Sequence, residues 1–329
     1  MANQLIDSFG RVHNNLRISV TDRCNLRCTY CMPEEVVFME RDEILTFEEI
    51  ARVVRIAVPL GIDKVRLTGG EPLMRKGLSQ LIEMLSRVEG LKDIGLTTNG
   101  LLLAEQADRF FQAGLRRINI SIDTLDPSRF HQLTRRDGLD KVIDGIKAAK
   151  RAGFSPVKIN AVSIRGITED EVVPLAQFAR SQGLELRFIE YMPIGADAWE
   201  RDKVYFAHEI LEQLETSVAP LVPADNYDPR APAMEFQYTD GGGRVGIIAS
   251  ISRPFCMSCN RVRLTADGKL RNCLFALDEI DVKSLLRSGR DDSEVASAFE
   301  RSVRDKWEGH EINTSRFIKP LRTMHAIGG

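Results

Sequence analysis

The six cysteines carry the clearest chemical signal in the chain, and they fall into two triplets. In Cys24-Asn25-Leu26-Arg27-Cys28-Thr29-Tyr30-Cys31 the thiols are separated by three and then two residues. Cys256-Met257-Ser258-Cys259 is followed by Cys273 after thirteen more. No cysteine is left over. Structural cysteines would scatter through apolar segments, and a disulfide framework belongs to small exported chains. Three thiolates at loop spacing are soft ligands suited to zinc or to an iron–sulfur cluster. A structural zinc site wants four closed ligands. Neither triplet has a fourth Cys or a His at local spacing, since the histidines are His13, His131, His208, His310 and His325. Zinc would therefore need a distant His, Asp or Glu. A cubane cluster on three cysteines keeps one iron open, where a substrate or cofactor can bind.

The first triplet must be positioned by what surrounds it. Short runs rich in Ile, Val and Leu recur at Leu16–Val20, Lys64–Thr68, Asp93–Thr97, Arg117–Ile122, Val157–Ile164 and Glu185–Glu190. Between them lie amphipathic stretches at Phe47–Leu60, Leu78–Val88, Leu103–Ala113, Leu139–Ala152 and Glu169–Gln182. Thr46 with Glu49 has the spacing of a capping box. Gly61, Gly114, Gly153 and Gly183 stand where left-handed helix ends want glycine. Six such units predict an α/β fold with a parallel sheet. The first strand is followed by Thr21-Asp22-Arg23-Cys24 rather than a glycine-rich dinucleotide loop. A partial (β/α)6 TIM-like barrel is the expected architecture, with function at the C-terminal strand ends. Pro220, Pro223, Pro229 and Pro232, then Gly241-Gly242-Gly243, mark a boundary. We expect a barrel over residues 1–220 and a C-terminal region over 221–329 that carries the second triplet and closes the barrel mouth. There, Val245–Ile251 reads as a strand, with helical patterns at Val282–Ser288 and Asp292–Trp307.

Composition narrows the classes. Forty-five basic and 47 acidic side chains leave a net charge of −2, which excludes a globally basic nucleic-acid binder. It leaves room for an anionic small molecule held by a local basic cluster. No apolar run approaches a membrane span, and the N-terminal residues lack the apolar core of an export signal. The expectation is a soluble cytoplasmic protein with reduced thiols.

The first triplet, with Tyr30 before its last cysteine, resembles the cluster motif of radical S-adenosylmethionine (SAM) enzymes. Gly69-Gly70-Glu71-Pro72 resembles their glycine motif. Val20 to Cys24, Arg66 to Pro72, Thr97-Thr98-Asn99-Gly100, Arg187-Phe188-Ile189-Glu190, Cys256 to Arg263 and the terminal Gly328-Gly329 narrow the match to the GTP 3′,8-cyclases of molybdenum cofactor biosynthesis. The resemblance runs from about Arg11 to the last residue. One departure is a rather short loop after Cys31, which removes no motif residue.

The resemblance implies a radical SAM barrel with two 4Fe-4S clusters, one on Cys24, Cys28 and Cys31 and one on Cys256, Cys259 and Cys273. It implies that the first open iron chelates SAM, with Tyr30, Gly70, Ser121 and Met192 as further SAM contacts. It assigns Arg17, Lys64, Arg66, Thr97, Lys158, Arg187, Arg261, Val262 and Arg263 to GTP, with the purine at the second cluster. Arg17, Arg261, Arg263, Gly328 and Gly329 are implied in catalysis, the last two as a tail reaching the site. The implied reaction is abstraction of the ribose 3′ hydrogen by a 5′-deoxyadenosyl radical, then attack on guanine carbon 8. Ring closure ends with uptake of one electron and a proton, giving (8S)-3′,8-cyclo-7,8-dihydroguanosine 5′-triphosphate. The implied partners are a flavodoxin- or ferredoxin-type electron donor, a cyclic pyranopterin monophosphate synthase that receives the product, and a second copy in a homodimer. No nucleic acid and no membrane is expected. From the residues alone, Arg261 and Arg263 alternate by two, so an extended segment places both on one face. Two other readings compete. A peptide-maturing radical SAM enzyme would need no triphosphate-binding arginines. A zinc-stabilised nucleic-acid module would be colourless, and here it lacks basic runs interleaved with aromatics.

Overall fold

A computed structural model describes residues 4–195, 198–225, 228 and 230–328. Pro229 of the breaker stretch and the terminal Gly329 lie outside them. The six expected strands form as β1 Asn15–Ser19, β2 Lys64–Thr68, β3 Asp93–Thr98, β4 Arg117–Ser121, β5 Val157–Ser163 and β6 Glu185–Glu190. The helices between them are α1 Phe47–Ala57, α2 Leu78–Ser86, α3 Ala107–Gln112, α4 Pro127–Thr134, α5 Leu139–Ala152 and α6 Val172–Gln182. α1 opens on the anticipated capping box of Thr46 and Glu49. It ends at Ala57 rather than Leu60, because Pro59 has no N–H for the next helical bond, and a 3-10 turn follows to Gly61 at φ +98°. Gly114, Gly153 and Gly183 also take positive φ. α3 is shorter than its pattern, since residues 101–106 form turns. α4, which starts on Pro127, has no counterpart among the predicted helices.

The C-terminal region does more than follow the barrel. After α7 Ala207–Ser217 come β7 Leu221–Pro223, β8 Met234–Tyr238, β9 Arg244–Ile248, β10 Arg261–Leu264, β11 Lys269–Arg271 and β12 Ile280–Asp281. They continue the same sheet in the order β12-β11-β10-β1-β2-β3-β4-β5-β6-β9-β8-β7. β10 pairs parallel with β1, and β9 pairs parallel with β6. The parallel run therefore has eight strands where the sequence pattern gave six. The sheet is not closed by hydrogen bonds, so the architecture is a partial TIM-type barrel. α8 Val282–Arg287, α9 Asp292–Arg304 and α10 Met324–Ile327 complete the chain. No helix among the described residues is long and apolar enough to cross a membrane.

Alternation along the strands sorts the side chains. Leu16 and Ile18 of β1, Val65 and Leu67 of β2, and Ile118 and Ile120 of β4 are buried against the helices. Their neighbours Asn15, Arg17, Lys64, Arg66, Arg117, Asn119 and Ser121 line a cavity on the other face. Closed barrels fill that interior with branched apolar layers. Here it is left open, with Arg, Lys, Asn and Ser side chains set into its wall. A smaller apolar cluster of Ile194, Val204, Ile251, Phe275, Ile312 and Ile327 packs the C-terminal tail.

Glu190 locks the far edge of this frame. It ends β6 fully buried and accepts from Ala207 N at 2.9 Å, Ile251 N at 2.7 Å, Ser252 N at 2.8 Å and Ser252 Oγ at 2.5 Å. One carboxylate thus joins β6, the start of α7 and the loop after β9. Glu190→Ala leaves several buried donors unpaired and is expected to cost about 3–5 kcal/mol. Urea unfolding would report this as a lower midpoint at unchanged slope.

Candidate active site

The cluster loop leaves β1 and is pinned from outside the barrel. Arg27 N donates to Thr134 O and Thr29 N to Leu133 O, both at 2.9 Å, so the end of α4 holds the loop. Cys31 N donates to Cys28 O at 2.9 Å. Tyr30 Oη donates to Asp123 Oδ2 at 2.5 Å, and Asp123 Oδ1 accepts from Val162 N at 2.8 Å. This ties the loop to the ends of β4 and β5. Burial pushes the Cys24 thiol up to about 11, with Glu71 adding to the effect, and raises Cys28 as well. Burial also raises Asp123.

Gly69 and Gly70 are needed for close backbone approach. A Cβ on Gly70 would stand 2.4 Å from Asp22 O and 2.5 Å from Arg23 O, and one on Gly69 would stand 2.6 Å from Thr21 O. Gly70 N donates to Thr21 O and Glu71 N to Arg23 O, both at 2.7 Å. The missing Cβ atoms therefore let this motif lie against the cluster loop. With its N–H committed there, Gly70 has its carbonyl left to offer a ligand.

Glu71 is buried beneath both motifs. It accepts from Leu73 N at 3.0 Å, Thr98 Oγ1 at 2.7 Å and Asn99 N at 2.6 Å. Burial outweighs these three donors and pushes its pKa from 4.5 up to about 7. A carboxyl raised this way binds more protons folded than unfolded. Its contribution to stability is fullest below the unfolded pKa and is lost as pH rises through the folded one. Glu71→Gln is expected to remove that loss. The wild type should weaken relative to the variant by up to ~1.4 kcal/mol per pH unit across the window. Urea titrations at about pH 5 and about pH 8 would check it.

The second triplet sits where the C-terminal strands meet β1. Cys256 lies in a short 3-10 turn, Cys259 precedes β10 and Cys273 follows β11. Arg261 Nη2 is 3.6 Å and Lys306 Nζ 3.5 Å from Cys259 Sγ. Burial alone would raise this thiol. The two cations overcome it and bring the pKa down to about 5. Burial keeps Cys256 raised. Among the described residues, no three His, Cys, Asp or Glu side chains group as a single-ion site.

Both triplets line one cavity of about 400 Å³, together with Tyr30, Gly70, Ser121 and Met192 and with Arg17, Lys64, Arg66, Thr97, Arg187, Arg261 and Arg263. The register sets Arg17 beside Arg66 on one side and Arg263 on the other. Burial, then repulsion from neighbouring guanidiniums, holds all three below the ordinary guanidinium range: Arg263, Arg261 and Arg66 act on Arg17, Arg117 and Arg187 on Arg66 at about 10, and Arg261 and Arg271 on Arg263 at about 9. Arg17 Nε and Arg66 Nη1 are buried without a hydrogen-bond partner. The arrangement calls for an anion.

Two of the expected GTP contacts stand apart. Lys158 faces inward one alternation below Asn160, yet its ammonium is paired with Glu185 and does not line the cavity. Burial, then repulsion from Arg187, lowers its pKa. The Val262 side chain points the other way, fully buried in the main core, so only its backbone faces β1. Lys64 is 3.8 Å from Asp228, and Arg187 is 2.8 Å from Glu235.

The C-terminal tail lines the cavity with Met324 and His325, while Gly328 stands behind it against Ser19 and Thr68. Gly328 has φ +88°, and a Cβ there would stand 2.6 Å from Ser19 Cβ and 2.8 Å from Thr68 Oγ1. Its carbonyl accepts from Arg263 Nη1 at 2.9 Å. Met324 N donates to Ile194 O at 3.1 Å, and Ile327 is buried, so the tail is anchored rather than frayed.

Sequence reasoning passed over Asn119, Asn160, Asp123, Glu71, Arg11 and Lys306. Asn119 and Asn160 were within reach, because two-residue alternation from Ser121 and Lys158 points to them. Asn160 Oδ1 is buried without a partner. Glu71 lies in the glycine motif but its buried role does not show there, and Asp123, Arg11 and Lys306 depend on contacts across the fold and leave no local signal.

The residues present fit the groups that the resemblance implies. Each triplet offers three soft thiols to one cavity, and Cys259 sits among cations that favour its thiolate. Comparisons with known proteins agree. Residues 18–179 match the Radical SAM superfamily, and residues 184–312 match Molybdenum Cofactor Synthesis C. The GTP 3′,8-cyclase of Rhodopirellula baltica is 47% identical over 99% of this chain and 92% of its own length. That of Thermodesulfovibrio yellowstonii is 45% identical over 98% and 99%. Streptococcus suis SuiB, solved bound to S-adenosylmethionine, shares the fold at 14% identity and a TM-score of 0.63, over 94% of this chain and 77% of that one. This chain belongs to the GTP 3′,8-cyclase family of radical SAM enzymes.

Proposed function

We propose that this protein converts GTP to (8S)-3′,8-cyclo-7,8-dihydroguanosine 5′-triphosphate, the first step of molybdenum cofactor biosynthesis. The observation that carries the reading is the set of guanidiniums that lines one cavity with both cysteine triplets. Arg17, Arg66, Arg261 and Arg263 have no Asp or Glu partner among the described residues. Four guanidiniums without an ion-pair partner suit the roughly four negative charges of a nucleoside triphosphate.

In this reading Cys24, Cys28 and Cys31 hold a 4Fe-4S cluster, with Tyr30, Gly70, Ser121 and Met192 around SAM. Cys256, Cys259 and Cys273 hold a second cluster on the guanine side. When bound, the first cluster and SAM supply the 5′-deoxyadenosyl radical that takes the ribose 3′ hydrogen. The chain's own contribution is placement. Arg17, Lys64, Arg66, Thr97, Arg187, Arg261 and Arg263 orient the nucleotide, Val262 through its backbone, and Lys158 once released from Glu185. Arg17, Arg261 and Arg263, with Gly328 and Gly329, are the residues this reading assigns to catalysis. Fixing the two reacting centres matters most when a radical would otherwise attack the protein. We assign the barrel to residues 1–220 and the second-cluster region to 221–329. A flavodoxin- or ferredoxin-type protein is the proposed electron donor, and cyclic pyranopterin monophosphate synthase the proposed recipient of product. A cytoplasmic homodimer is the proposed state.

Anaerobic reconstitution tests this. We expect about eight irons per chain, 5′-deoxyadenosine formed in a GTP-dependent manner, and a cyclised guanosine product. Iron loading with no dependence on GTP would overturn the substrate, and zinc in place of iron would overturn the chemistry.

A further inference from the structure

Lys306 is a buried cation that the radical reaction as described does not use. Only 5% of it is exposed. Its ammonium donates to Arg261 O at 2.8 Å and lies 3.5 Å from Cys259 Sγ. No Asp or Glu pairs with it among the described residues. A buried, unpaired ammonium is costly, so its retention calls for an anionic neighbour. The sulfur it touches is the candidate.

Its aim is fixed by contacts from far along the chain. Arg11 Nη1 donates to Cys256 O at 2.8 Å and to Glu308 O at 2.5 Å, and Arg11 Nη2 to Trp307 O at 2.6 Å. Arg11 Nε is in turn held by Asp7 Oδ2 at 2.5 Å. One guanidinium thus staples the segment carrying Lys306 to the loop carrying Cys256. At the first triplet the nearby cation is Arg27, and its guanidinium donates to the Cys24 carbonyl at 2.8 Å rather than to the sulfur. The side-chain donor near Cys24 Sγ is the neutral Asn99 amide at 3.9 Å, and burial, with Glu71 beside Cys24 and Asp123 beside Cys28, raises these two thiols.

We propose that Lys306 is a positioning residue of the second triplet, whose ammonium, hydrogen-bonded to the Cys259 sulfur, stabilises the reduced state of the cluster held there and raises its potential. The proposal rests on the two-cluster reading. Net charge and hydrogen bonds to sulfur are the levers that set iron–sulfur potentials.

The test uses the full chain with Cys24, Cys28 and Cys31 replaced by alanine, so that only the second triplet can bind. After anaerobic reconstitution, iron is counted and the midpoint is read by redox titration with electron paramagnetic resonance. Lys306→Met is expected to keep about four irons. At the parent midpoint its ratio of reduced to oxidised cluster should fall at least tenfold, a shift of about 59 mV to lower potential for one electron. Lys306→Arg, which keeps the charge, should stay near the parent, and Lys306→Gln should fall between. Should Lys306→Met fail to fold, judged by circular dichroism, the Gln and Arg variants decide by the same reading. An unshifted midpoint in Met or Gln overturns the Lys306 assignment alone, as does an equal shift in Arg. A parent that binds no iron overturns the second cluster and this proposal with it.

Discussion

Alanine at Cys24, Cys28 and Cys31 is expected to lower iron from about eight to about four atoms per chain and to reduce 5′-deoxyadenosine formation to background. Alanine at Cys256, Cys259 and Cys273 is expected to remove the same amount of iron with the opposite functional result. SAM cleavage should persist, slowly and without dependence on GTP. The separation follows from where the triplets are anchored. The first hangs on the loop after β1 and is tied to α4 through Arg27 and Thr29. The second is built from the 3-10 turn at Cys256, the start of β10 and the end of β11, with Arg11 as its staple. No cysteine is shared, so losing one site leaves the other's supports standing. Iron and 5′-deoxyadenosine measured on the same preparations would check both halves. Loss of all iron from either variant would mean one shared site and would sink the two-site assignment.

Much of this arrangement was legible in the sequence, and the limits were physical. The six barrel strands carry their own signal, because apolar residues alternate with Arg17, Arg66, Ser121 and Arg187 and each run ends at a turn. The polar interior follows from the same alternation. β9 was visible as a strand, but its place beside β6 was not, since pairing between distant segments leaves no local pattern. β10 was half hidden in the same way. The alternation of Arg261 and Arg263 suits an extended segment, but the pairing of Arg261-Val262-Arg263-Leu264 with β1 leaves no local pattern. The assignment of Lys158 depended on register: alternation gives its face, while the cross-strand partner Glu185 that occupies it comes from the fold. Lys306 was the least accessible. Asp305-Lys306-Trp307-Glu308 looks like a solvated helix end, and only the tertiary contacts of Arg11 and Cys259 bury the lysine. For Gly70, the need for close approach is legible from the missing Cβ, and the approaching backbone is that of Asp22 and Arg23 in the loop carrying the first triplet.

Arg263→Ala is expected to lower kcat/KM for GTP by about 10²–10³-fold, while SAM cleavage continues and yields less cyclised product per cleavage. Arg263 is 5% exposed and holds the Gly328 carbonyl at 2.9 Å. Truncating a buried, hydrogen-bonded charge typically costs about 2–5 kcal/mol, and each ~1.4 kcal/mol is tenfold in rate. Two losses combine here, one of a cation facing the nucleotide and one of the tail's anchor. Arg263→Lys keeps the charge without the planar fork and should recover only part of the activity. Stability separates this from simple damage. Arg263 stands beside Arg17 in register and is repelled by Arg261, so the substrate-free fold carries unrelieved like charge. Removing one guanidinium should therefore leave the unfolding midpoint unchanged or slightly raised. A variant that loses cyclisation at full stability places Arg263 in the reaction. One that loses both in parallel would make it a structural residue and would remove the argument that the tail is held for catalysis.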